Sequence, residues 1–123
     1  MDEEEDWHEI RVLDNRIQRG EAFTLTPEVR ALLLRAAPTV AITEAAAALS
    51  SAETATGLLH AIRRRITDGS NRLSDALHRM YLLRDAGRLD EARQQMREVL
   101  SVEVVPLYRE IAEGELEKLN DLD

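Results

Sequence analysis

Apolar side chains recur in steps of three and four through the middle of the chain: Ala52, Ala55, Leu59, Ile62, Ile66, Gly69, Leu73, Ala76, Met80 and Leu83. Two turns of α-helix advance about seven residues, so this spacing keeps all of these positions on one face. The pattern predicts one long helix from Ser50 to about Arg84, on the order of 50 Å in length. Ser50 and Glu53 have the spacing of a capping box at its start. Thr67-Asp68-Gly69-Ser70-Asn71 is a run of poor helix formers, and a break there is the alternative. The apolar register is the same on both sides of that run, which favours continuity. Leu59, Ile62, Ile66, Leu73, Met80 and Leu83 are the expected packing residues of the seam.

Shorter patterns flank it. Trp7, Ile10, Leu13 and Ile17 predict a helix over 3–18, with Asp2 to Asp6 supplying negative charge at its positive end and Gly20 as its stop. Thr26 caps a second helix that opens with Pro27, buries Val29, Leu32 and Leu33, and ends at Pro38. Val40 and Ile42 are expected to be buried in the linker, and Thr43 to cap a short alanine-rich helix. Asp85 to Leu89 reads as a turn, with Gly87 in the left-handed conformation. A last helix carries Leu89, Ala92, Met96, Leu100, Val104, Leu107, Ile111, Leu116 and Leu119. Pro106 kinks or interrupts it, and the apolar phase slips near Val99 to Val104. The expected fold is all-α. It is an elongated helical bundle built on a long antiparallel helical hairpin (51–123), with shorter N-terminal helices (1–50) packed on it in a single domain.

Charge adds a register. Arg65, Arg72 and Arg79 are seven apart beside the seam, and Glu103, Glu110 and Glu117 are seven apart on the last helix. Folding the hairpin about Gly87 sets Arg72 level with Glu103 and Arg65 level with Glu110. Exposed pairs of this kind add only ~0.2–1 kcal/mol each, so their expected role is to fix alignment. Gly69 then falls opposite Pro106 to Tyr108 and leaves room for a bulky neighbour. Consecutive residues on a helix point in different directions, so Arg63-Arg64-Arg65 is not one basic patch.

Composition narrows the function classes. The chain has 123 residues, a net charge of −8 and no cysteine. Disulfides, thiolate metal sites and cysteine nucleophiles are excluded. An acidic chain binds nucleic acid and anionic membranes poorly, so neither is an expected partner. No apolar run reaches membrane-spanning length, and the acidic start is unlike a signal peptide; a cytoplasmic location is the expectation. Glu5-x-x-His8 and Asp75-x-x-His78 have the spacing found in di-iron bundles, but that site also needs two further inward carboxylates. His60 and His78 lie off the seam, on faces expected to be wet. The glycines are isolated and form no phosphate loop. No catalytic, cofactor-binding or metal-ligating residue is assigned, and no cofactor is expected. Trp7, Tyr81 and Tyr108 read as packing residues.

Gly87-Arg88-Leu89-Asp90-Glu91-Ala92 resembles the turn of a tetratricopeptide repeat, locally and without a second repeat. A wider resemblance runs through Arg63 to Ser70, Arg79 to Gly87 and Ala92 to Met96. It continues through Val102-Glu103-Val104-Val105-Pro106 with Tyr108-Arg109. Trp7, Leu25-Thr26-Pro27 and Val29-Arg30 agree as well. In that order these segments resemble the DUSAM domain, a set of myxobacterial paralogues of unknown function. The resemblance implies a bacterial, cytoplasmic protein and transfers no site residues. The expected function is a non-catalytic helical protein–protein interaction module, acting as an adaptor or as a homodimer. The alternatives are an acidic immunity or antitoxin-type inhibitor of a basic toxin, and a helical-bundle metalloprotein using Asp75, His78 and inward glutamates. The seam is either covered within one chain or partly open to a second copy.

Overall fold

The computed structural model describes residues 3–122, and Asp2 of the acidic N-terminal run lies outside them. Among the described residues all regular structure is helical: α1 (Glu3–Gln18), α2 (Pro27–Thr39), α3 (Ala45–Ala48), α4 (Ala52–Asp85), α5 (Leu89–Val102) and α6 (Pro106–Asn120). The chain divides into two compact units, Met1–Ile66 and Thr67–Asp123. The division falls inside α4, which is one unbroken helix of 34 residues. Thr67 to Asn71 stay helical despite their low propensity, because Ile66, Gly69 and Leu73 around them are buried and packing outweighs a few tenths of a kcal/mol per residue. Leu59, Ile62, Ile66, Leu73 and Met80 are core residues. Leu83, in the last turns of α4, is only half-buried, and Ala52 at its start is exposed. The hydroxyl that caps α4 belongs to Ser51, not Ser50: its Oγ accepts the backbone N–H of Thr54 at 3.1 Å.

In the first unit α1 packs on α2, and α2 on α3. Trp7, Ile10, Leu33, Val40, Leu59 and Ile62 are among its buried residues. Indole Nε1 of Trp7 donates to Thr39 Oγ1 at 2.8 Å, which satisfies the polar edge of the ring. Thr26 Oγ1 accepts from Val29 N at 3.1 Å, and Pro27 opens α2. Pro38 sits inside the last turn of α2 instead of ending it, a position where its missing N–H forfeits one bond and no more. Thr43 does not cap α3. Glu44 occupies that position at φ +59 with no side-chain cap, and α3 is a single turn of alanines.

The second unit holds the remainder of α4 with α5 and α6. Gly87 turns the chain at φ +78, a conformation glycine adopts without a Cβ clash. Pro106 interrupts the last helical segment outright. Glu103 and Val105 are extended, Pro106 takes the first position of α6, and α6 packs back on α5. The extended stretch reverses the apolar phase, so Val105 is fully buried and Val104, an expected stripe residue, is exposed.

Candidate functional site

Helix C-termini leave carbonyls without intrahelical donors, and in this chain arginines reach them. Arg65 Nη1 donates to the carbonyls of Val40 and Ala41 at 2.8 and 3.0 Å, just past the end of α2. Arg30 Nη1 donates to Leu49 O at 3.1 Å, at the end of α3. In the second unit the arrangement is reciprocal. Arg93 of α5 donates to Leu119 O in the last turn of α6 at 2.9 Å. Arg109 of α6 donates to Leu100 O and Glu103 O at the end of α5, both at 2.8 Å. A cation at the negative end of a helix dipole is favourable in addition to the hydrogen bonds themselves.

Glu103 anchors the corner between α5 and α6. It is 3% exposed. Its Oε1 accepts from Arg72 Nη1 at 2.8 Å, and its Oε2 accepts the backbone N–H groups of Val104 and Val105 at 3.1 and 3.0 Å. The carboxylate therefore lies at the positive end of α6 and holds α4 against it. Gly69 makes the approach possible. A Cβ there would meet the Tyr108 ring at 2.5 and 2.7 Å and Glu103 Oε1 at 2.9 Å.

The other expected pair, Arg65 with Glu110, is divided between the two units. Arg65 is committed to the carbonyls of Val40 and Ala41, and Glu110 is exposed without an ion pair among the described residues. The chain turns back after Glu103, which takes Glu110 off the line extrapolated from α5. Arg79 Nε donates to Gln95 Oε1 at 2.7 Å rather than to a carboxylate. Of the arginine run, Arg64 is exposed while Arg63 and Arg65 are half-buried.

The histidine readings divide. His8 and His78 are exposed, as is Asp75. His60 is not a solvated side chain: its Nδ1 lies 2.5 Å from Oδ1 of buried Asp14. Asp14 extends the Trp7, Ile10 spacing by one further step, so the helical stripe itself carried the signal for a buried acid. Asp6, also buried, pairs with Arg35 at 3.2 Å. Among the described residues no group of three or more His, Cys, Asp or Glu is placed to hold a metal ion. Tyr108 is buried, whereas Tyr81 is exposed under the guanidinium of Arg84, 4.8 Å from its ring centre.

Exposed apolar side chains and an apolar groove stand outside the core. In the second unit Leu82 is 60% exposed, Val102 58% and Val104 47%, with Ile111 and Leu122 also exposed. In the first unit a groove of about 380 Å³ lies between α1 and α2. Val12, Leu13, Val29 and Leu32 form its apolar lining, with Glu9 and Glu28 as acids along it, and His8 and Arg16 complete the wall. A second hollow shares His8 and Glu9 and adds Glu4 and Glu5.

A family model described as a protein of unknown function, DUF2379, matches residues 5–119, and DUSAM is the name of this family. No curated protein and no solved structure matches the chain. No helix among the described residues is long and apolar enough to cross a membrane. The chain belongs to the DUF2379 family.

Proposed function

We propose that this family member is a non-catalytic, cytoplasmic helical module for protein–protein interaction, acting as an adaptor or as a homodimer. The observation that carries the reading is the set of large apolar side chains left at the surface of the second unit, with Leu82, Val102 and Leu122 each more than half exposed. Large apolar side chains left at a surface gain free energy when a partner covers them. The polar groups support the same reading. Arg72, Arg93, Arg109, Glu103 and Asp14 each satisfy a neighbour within the fold, which is an architectural use of these charges.

Sedimentation over a range of concentrations, with affinity purification from the native host and mass spectrometry, tests it. Either a dimer weakened by Val104→Asp with Ile111→Asp, or a stoichiometric partner weakened by the same changes, supports the proposal. A chain that stays monomeric and is recovered alone overturns it. An acidic inhibitor of a basic toxin is the second reading, favoured by the net charge of −8.

A further inference from the structure

We propose that the α1–α2 groove is the docking site for a basic protein segment, which places an apolar side chain on Val12, Val29 and Leu32 and its Lys or Arg neighbours against Glu9 and Glu28. This rests on the interaction-module reading and adds the place and the chemistry of the partner. The groove offers both halves of such a contact. Its lining is mainly apolar, and Val12 is 42% exposed within it. Glu9 and Glu28 are exposed and carry no ion pair among the described residues. Glu5 and Glu9 are four residues apart on α1, a like-charge spacing that weakens the helix slightly unless a cation arrives. The cation on the wall, Arg16, is already held by Glu21 at 2.6 Å.

The sign of the charge selects the occupant. A second copy docking symmetrically through this groove brings the same acids face to face, and the whole chain carries −8. Nucleic acid and anionic lipid are repelled for the same reason. A basic polypeptide is attracted at long range and gains the apolar contact once docked.

The test uses the full chain, isotope-labelled for NMR, titrated with a short helical peptide of Leu and Lys and with its Leu and Glu counterpart. The Leu/Lys peptide is expected to shift the resonances of Val12, Val29 and Leu32. Its affinity should fall about tenfold or more in Glu9→Lys with Glu28→Lys, and again in Val12→Asp. All three residues are at least partly exposed, so circular dichroism should show the helices retained. Should a variant unfold, the comparison of the two peptides on the unaltered chain still decides. Equal binding of the Leu/Glu peptide, or shifts spread evenly over the acidic surface, overturns the proposal, as does no binding at all. Shifts centred on Val104 and Ile111 also overturn the groove assignment, while leaving the interaction-module reading in place.

Discussion

Arg93 of α5 donates from Nη2 to the carbonyl of Leu119 in α6 at 2.9 Å, across 26 residues of chain. The same guanidinium donates through Nη1 to Asp90 at 2.8 Å. Arg93 is buried, so removing it takes away one of two donors to the Leu119 carbonyl, the other being the Leu122 N–H at 3.2 Å, where water does not readily replace it. Arg93→Met keeps most of the volume and is expected to cost about 1–3 kcal/mol in urea unfolding. Arg93→Lys keeps the charge but loses the fork that spans both partners, and should recover only part of that loss.

The two classes of helical glycine separate cleanly. Gly69→Ala drives a methyl into the Tyr108 ring and the Glu103 carboxylate, both buried. Overpacking outweighs the better helix propensity of alanine, and a net loss of about 1–3 kcal/mol is expected. Gly57 and Gly114 have nothing within 4 Å of an added Cβ. Alanine at either should stabilise by about 0.5–1 kcal/mol, read as a higher thermal midpoint.

Ala41 has a left-handed backbone at φ +61, and its carbonyl is one of the two that Arg65 holds. Ala41→Gly relieves a strain of about 1 kcal/mol and should raise stability despite the added freedom of the unfolded chain. Arg65→Met should lower stability by about 1–2 kcal/mol. Glu110→Ala should change it by less than about 0.5 kcal/mol, because Glu110 has no part in holding Arg65. A loss at Glu110 equal to that at Arg65 would contradict the assignment of Arg65 to the carbonyls of Val40 and Ala41.

These contacts explain what was legible in the sequence. The long helix was legible because its stripe has one spacing from Ala55 to Met80, and packing along that stripe carries the weak formers at Thr67 to Asn71. The Arg72 and Glu103 register was legible because Gly87 fixes the turn with arms of nearly equal length. The reversal after Glu103 was not, since a proline that opens a new helix and one that kinks an old helix look the same in sequence. The placing of Glu110, extrapolated beyond that point, assumed a helix that runs on without the turn. The arginines at helix ends were hidden for a related reason: a carbonyl acceptor has no residue letter, so a search for carboxylates finds the wrong partner. The α1–α2 groove depends on how two helices pack, which no local pattern records. The segments that carry the family resemblance hold Gly69, Arg79, Arg93, Glu103 and Arg109, so much of what makes the chain recognisable is architectural.

The most direct test of this account is a double-mutant cycle on Arg72 and Glu103, which lie 2.8 Å apart with the glutamate carboxylate buried. Urea unfolding of Arg72→Met, Glu103→Gln and the double variant gives their coupling. If Glu103 anchors the corner through Arg72, each single change destabilises and the coupling exceeds about 1 kcal/mol, above the range of ordinary surface pairs. Additive losses, with a coupling below about 0.3 kcal/mol, would contradict it.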